Sequence, residues 1–152
     1  MNAYSQSALK QYTKIGVETR VVSATPQQLI VMLYEGAIAA IAMAQQHLRL
    51  KDIAAKGKTI SKAISIIDDG LKASLDPNVG GELAQHLSDL YGYMSQRLLY
   101  ANLKNDEPAL EEVRQLLVQL SGAWKSLAAA PPAAEPAPSP QLGRIANSYG
   151  SI

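Results

Sequence analysis

Residues 25–44, TPQQLIVMLYEGAIAAIAMA, form a nearly continuous apolar run. From Leu29 to Ala44 only Glu35 and Gly36 interrupt it. A helix on the surface of a small soluble protein normally has one apolar face and one polar face. This stretch carries apolar residues on nearly every side. The pattern therefore indicates either an unusually buried helix or a helix with apolar surface left for a partner.

The start of this helix is marked by capping residues. Thr25 is a favourable N-cap, and Gln28 three residues later completes a capping-box pattern. Pro26 suits the first helical turn, because its missing N–H has no intrahelical partner there. The sequence predicts a helix from Thr25 to about Leu50.

Three further segments show the 3.6-residue apolar period of amphipathic helices. DPNVGG (76–81) and KNDEP (104–108) separate them, and their Pro, Gly, Asn and Asp residues favour turns. Asp106 is a good N-cap and Pro108 suits the first turn of the last helix. The predicted helices run from Thr25 to about Leu50, from about Ile53 to Leu75, from about Gly81 to Asn102, and from Asp106 to about Leu127.

The predicted fold is all-α. Short connections force consecutive helices to run antiparallel, so residues 24–127 form an up-down-up-down four-helix bundle. Residues 1–23 form an N-terminal arm, and residues 128–152, which are rich in Pro and Ala, form a disordered tail. The chain has no Phe, so Leu, Ile, Ala and Met must fill most of the core. The predicted core comprises Leu33, Ile41, Ile64, Ile67, Leu87, Leu90, Leu98, Leu117 and Trp124.

Composition excludes several classes of function. A net charge of +1 argues against nucleic acid as the main partner, since such binding needs a concentrated positive field. The chain has no Cys, and its first 14 residues contain no apolar segment of signal-peptide length. The run at 29–44 is shorter than the ~20 apolar residues of a membrane span. We therefore expect a soluble cytoplasmic protein without membrane insertion.

Catalytic chemistry has little support in the sequence. The only histidines, His47 and His86, lie far apart in predicted helices, without a repeating carboxylate spacing that would form a metal site. No nucleophile–base–orienting set is apparent, so we expect neither an enzyme nor a cofactor. A minor alternative is a phosphotransfer bundle that uses His86, but Asp89 would repel the phosphoryl group.

Four blocks of sequence resemble the FliS family of flagellar export chaperones, in that order and at similar separations. They are ATPQQLIVMLYEGAI, ISKAISIIDDGLKASLD, GGELAQHLSDLYGYMSQRLLYAN and LEEVRQLLVQLSGAW. The resemblance covers about residues 4–127 and leaves out the Pro/Ala-rich tail. It implies a cytoplasmic, ATP-independent chaperone that binds the disordered C-terminal segment of flagellin. Such a protein prevents premature polymerisation and assists delivery to the flagellar type III export gate, and other flagellar regulators are further expected partners.

A partner that wraps around a bundle needs apolar surface on several sides, which would explain the apolar first helix. The alternative is that this helix is simply the most buried of the four. Residues that lie off the core stripes are the candidates for the groove. They are Leu29, Met32, Tyr34, Ile38, Ile66, Leu75, Tyr93 and Leu99.

The N-terminal arm adds Tyr4, Tyr12 and Ile15, which with Leu9 give one weakly amphipathic face. Proteins similar to this one can lay such an arm over the client groove, and the alternative is a frayed terminus. A different class of function is a helical-bundle adaptor that buries the same surface in a homodimer. The tail is either a tether or, through Leu142, Ile145 and Tyr149, a short docking patch.

Overall fold

The computed structural model describes residues 23–129, with side chains as far as Leu127. This part of the chain is all-α and contains no strand, as predicted. Helix α1 spans Pro26–Arg49, and α2 spans Ile53–Ser65 and continues as a π-helical segment over Ile66–Lys72. Helix α3 spans Pro77–Lys104, and α4 spans Glu107–Ala129.

The predicted caps are present. The Thr25 hydroxyl accepts from the Gln28 backbone N–H at 3.1 Å, and the Gln28 side chain accepts from the Thr25 backbone N–H at 2.8 Å. Asp106, also predicted, accepts from the backbone N–H of Ala109, and Asp52, which was not predicted as a cap, accepts from that of Ala55. These contacts satisfy N–H groups that a helix start leaves without intrahelical partners.

Helix α3 begins earlier than the sequence predicts. Asp76 caps it by accepting from the backbone N–H of Asn78 at 2.9 Å, and Pro77 occupies its first turn. The expected break lies inside the helix instead, at Gly81, whose φ is 54°. A residue without a Cβ adopts this left-handed conformation without steric cost, so the first turn of α3 is bent away from the rest.

Contacts between helix ends establish the antiparallel arrangement. Arg49 at the end of α1 pairs with Glu107 at the start of α4, at 2.8 Å. Lys56 near the start of α2 donates to the carbonyl of Asn102 near the end of α3, at 2.8 Å. Helix α1 packs against both α2 and α4, and α3 packs against the same two helices. The bundle is therefore up-down-up-down.

The core confirms part of the predicted set. Ile41, Ile67, Leu87, Leu98 and Leu117 are buried. The other four predicted core residues are partly buried and pack against this core. They are Leu33, Ile64, Leu90 and Trp124.

The whole of helix α1, Pro26–Arg49, is long and apolar enough to cross a membrane by length and composition, although its apolar run at 29–44 is shorter than a span. The core helix of a soluble protein can have the same length and apolar composition. In the bundle only 33% of its most apolar 18-residue window is buried. Packing between α2 and α4 thus accounts for part of its apolar character and leaves a surplus at the surface.

Candidate partner-binding surfaces

An apolar groove of about 530 Å³ opens at the end of the bundle where α1 begins and α4 ends. We call it the end groove. Its apolar lining comes from the first turns of α1, the connection between α2 and α3, the first half of α3, and the last turns of α4. The apolar residues are Leu29, Ile30, Leu33, Leu75, Val79, Leu83, Leu87, Tyr91 and Trp124.

Glycines shape the walls of the end groove. A Cβ on Gly70 would lie 3.0 Å from a methyl carbon of Leu33, so this glycine lets the Leu33 side chain lie close against α2. The bend at Gly81 sets the first turn of α3 apart, and Val79 in that turn is 84% exposed. An apolar wall this exposed is a feature of binding surfaces more than of a closed core.

Two tyrosines meet beneath the end groove. The hydroxyls of Tyr34 and Tyr91 are 2.5 Å apart, and their tilted rings have centroids 6.4 Å apart. Burial raises the pKa of Tyr91, and the hydrogen bond with Tyr34 opposes this shift in part. Tyr34 is 0% exposed, so the prediction that it lines an exposed groove is wrong. Its hydroxyl is tolerated in the core because Tyr91 lies opposite, which a single helix pattern does not reveal.

A second, shallower groove of about 440 Å³ runs between α1 and α4. We call it the side groove. Glu35 and Lys125 form an ion pair at 3.3 Å beside it. Its lining residues are Glu35, Ile38, Ala39, Val118, Ser121, Gly122 and Lys125.

Helix α3 presents a third apolar surface. Glu112 of α4 anchors its edge by accepting hydrogen bonds from the Tyr93 hydroxyl and from Arg97, the latter at 2.9 Å. These two contacts, that of Tyr93 first, lower the pKa of Glu112. The Arg97 guanidinium also lies 5.1 Å from the ring centroid of Tyr100. The large exposed apolar residues of α3 on this surface are Tyr93, Leu99, Tyr100 and Leu103.

The predicted groove residues therefore lie on several surfaces of the bundle. Leu29 and Leu75 line the end groove, and Ile38 lines the side groove. Tyr93 and Leu99 are exposed on α3. The other described candidates, Met32 and Ile66, are partly buried, and Tyr4, Tyr12, Ile15, Leu142, Ile145 and Tyr149 lie outside the described residues.

Some lining residues were missed by sequence reasoning. Val79 stood within the DPNVGG turn, where a lone valine among turn residues was the available signal. Leu33 and Trp124 were assigned to the core, although both also line the end groove. Helical periodicity identifies an apolar face but does not say where a bundle stops covering it.

Metal chemistry finds no support in the described part of the chain. Residues 23–129 contain no group of three or more His, Asp or Glu side chains that could hold a metal ion. His86, the candidate for phosphotransfer, is exposed on α3. The nearby Asp89 accepts a hydrogen bond from Gln85 at 2.9 Å.

Four antiparallel helices with apolar grooves on more than one side define a helical bundle with uncovered apolar surface. A family model described as "Flagellar protein FliS" matches residues 8–131. The chain belongs to this family.

Curated relatives agree with this assignment. The chain is 52% identical over 124 residues to the flagellar secretion chaperone FliS of Salmonella typhimurium, covering 82% of this chain and 92% of that protein. It is 44% identical over 122 residues to FliS of Escherichia coli K12, covering 80% and 90%. It is 40% identical over 124 residues to the flagellar secretion chaperone FliSB of Pseudomonas aeruginosa, covering 82% and 98%. The family is one of chaperones and not a class of enzymes.

Proposed function

We propose that this protein is a cytoplasmic chaperone for flagellin. It binds the disordered C-terminal segment of flagellin, prevents premature polymerisation, and assists delivery to the flagellar type III export apparatus. The observation that carries the proposal is the end groove, an open apolar cleft lined by α1, the α2–α3 connection, α3 and α4. The family to which the chain belongs consists of flagellar secretion chaperones.

The distribution of apolar surface supports a partner that wraps. A disordered segment that folds on binding loses conformational entropy, so it must bury a large apolar area to bind tightly. The end groove, the side groove and the exposed face of α3 involve different helices. A compact partner docked at one site would leave two of them uncovered, whereas an extended segment can reach all three.

Charged side chains at the edges of each apolar surface can fix the register of a bound segment. Asp76 borders the end groove, the Glu35–Lys125 pair borders the side groove, and Glu112 anchors the face of α3. Apolar contacts supply most of the affinity, while these charges favour one register of the bound segment over others.

The N-terminal arm is proposed to cover the client site in the free protein. Helix α1 begins at Pro26, which itself lines the end groove, so the chain that precedes it starts close to this site. Tyr4, Tyr12 and Ile15 would supply the apolar contacts. Deletion of residues 2–15 is expected to tighten flagellin binding and to increase self-association. An unchanged affinity would contradict the covering role.

Calorimetric titration with flagellin tests the proposed function. Intact flagellin should bind one-to-one with a large negative heat-capacity change, because apolar surface is buried as the segment folds. Flagellin that lacks its last ~40 residues, enough for several helical turns, should not bind. Absence of binding to intact flagellin would refute the proposal. Sedimentation at several protein concentrations would then test a homodimer that buries the same surfaces.

A further inference from the structure

The side groove contains a buried hydroxyl that has no hydrogen-bond partner within residues 23–129. Ser121 is 3% exposed, and its hydroxyl makes no hydrogen bond with the described part of the chain. By contrast, the Ser126 hydroxyl donates to the carbonyl of Gly122 at 3.2 Å, and that of Ser95 donates to Asp68 at 2.7 Å. A buried hydroxyl is normally hydrogen-bonded, so Ser121 points to an acceptor supplied from outside these residues.

The side groove has open space above Gly122. A Cβ built on Gly122 would have no atom within 4 Å, and Ala39 faces the same groove from α1. Val118 is 40% exposed beside them. The groove therefore accepts a chain with small or flat side chains that approaches the backbone of α4 closely.

The chain itself supplies a segment of matching chemistry. Residues 131–138, PPAAEPAP, follow α4, and the match to the FliS family ends at residue 131. Such a sequence favours the polyproline II conformation, whose backbone has no internal hydrogen bonds and therefore presents free carbonyl acceptors. Its side chains are small, apart from one carboxylate at Glu135.

The length of this segment and the charge of Glu135 allow it to reach the side groove. Lys125 lies four residues before the end of α4, about 6 Å along the helix axis. Six residues in polyproline II conformation span about 19 Å, so Glu135 can reach Lys125 after the chain reverses direction. Lys125 is exposed and meets Glu35 at 3.3 Å, so its charge remains accessible to a second carboxylate.

We propose that residues 131–138 dock in the side groove, with Glu135 beside Lys125 and a backbone carbonyl accepting a hydrogen bond from Ser121. Because the segment is tethered to α4, its effective concentration is high, and a small contact area suffices. The docked segment covers Ile38. A consequence, which rests on the proposed function, is that flagellin must displace this segment to use the side groove.

Paramagnetic broadening in the full-length protein tests the docking without any client. The chain has no Cys, so Ser139→Cys gives a single attachment site for a nitroxide. The methyl signals of Ile38 and Val118 should broaden, while that of Ile53 near the opposite end should not. Uniform broadening, or broadening centred on Leu29 and Leu75, would overturn the proposal.

Variants of the groove separate docking from proximity alone. Gly122→Leu fills open space on a helix surface and should abolish the selective broadening, whereas Gln119→Leu, outside the groove lining, should leave it unchanged. Glu135→Lys and Ser121→Ala should each weaken it. Broadening that persists in Gly122→Leu would refute the docking. Broadening that vanishes when labelled protein is diluted into unlabelled protein would refute it in favour of a second copy in the groove.

Discussion

At the end of the bundle that holds the α1–α2 and α3–α4 connections, polar contacts join the helices, whereas at the opposite end apolar side chains surround an open groove. Lys56 is 2% exposed and donates to the carbonyl of Asn102 at 2.8 Å and to the side chain of Asn105 at 2.5 Å. Arg49 joins Glu107 nearby. We call this region the closed end.

The hydrogen bonds at the two ends differ in what they connect. At the closed end Lys56 links α2 to the last turn of α3, where Asn105 adopts a left-handed conformation with φ of 52°. At the end groove, Thr25 and Asp76 each cap only their own helix, and the hydrogen bond between Tyr34 and Tyr91 joins α1 to α3 beneath the groove and not at its apolar rim. Directional contacts between helices fix one geometry, while apolar contacts tolerate many. The difference shows how one bundle can combine a rigid frame with an adaptable binding surface.

The largest expected effect comes from the core beneath the end groove. Tyr34→Glu should lower the free energy of unfolding by at least about 3 kcal/mol, because it places an unpaired carboxylate in the buried site beside Tyr91. Tyr34→Phe should cost only about 1 kcal/mol through the lost hydrogen bond. Urea denaturation measures both values. If the Tyr34→Glu protein is as stable as the wild type but does not bind flagellin, Tyr34 belongs to the binding surface and not to the core.

The next largest effect is a difference in flagellin affinity between variants at the end groove and at the closed end. Leu29→Glu in the end groove should weaken flagellin binding about 30-fold, equivalent to about 2 kcal/mol, with little change in stability. Leu50→Glu is the matched control, since Leu50 is 69% exposed in the connection at the closed end. Calorimetric titration of both variants measures the contrast. Equal losses of affinity would show that the end groove is not the main site.

The closed end can be weakened without touching the end groove. Lys56→Ala should reduce the free energy of unfolding by about 2 kcal/mol, because it removes a buried side chain and leaves the acceptors of Asn102 and Asn105 without their donor. Lys56→Met retains most of the apolar stem and separates packing from hydrogen bonding. Hydrogen exchange at residues 102–106 should accelerate in both variants. If only Lys56→Ala is affected, packing alone explains the role of Lys56.

The smallest expected effect concerns pH. The pKa of Glu112 is lower in the folded protein than in the unfolded chain, so its stabilisation is present above the unfolded pKa and is lost as pH falls through the folded value. Glu112→Gln should therefore reduce the free energy of unfolding at pH 7 by less than about 1 kcal/mol, because the site is partly exposed to solvent. The melting temperature should fall slightly as a result. The wild type and the variant should converge as pH falls below the unfolded pKa of Glu112 and then through its lower folded pKa. A difference that stays constant with pH would indicate a steric cause.

Local sequence patterns predicted the helices better than the surfaces. The capping box at Thr25 and the N-cap at Asp106 depend on residues within one turn, so they could be identified directly. The start of α3 was misplaced because Pro77 and Gly81 suggest a break, although proline is compatible with a first turn. Leu29, Leu75 and Ile38 line grooves, and their binding of a partner stays a prediction. Tyr34 is buried instead, because its place in the core depends on Tyr91, 57 positions away.

By itself the sequence determined the all-α bundle, its antiparallel order and the surplus of apolar residues on α1, because caps, turns and helical periodicity act over a few residues. The four motif blocks also carried the resemblance to the FliS family. Only the tertiary structure decided which apolar residues remain uncovered. Exposure depends on where neighbouring helices end and bend, and on pairs such as Tyr34 with Tyr91 or Lys56 with Asn105, whose members meet only after the chain has packed.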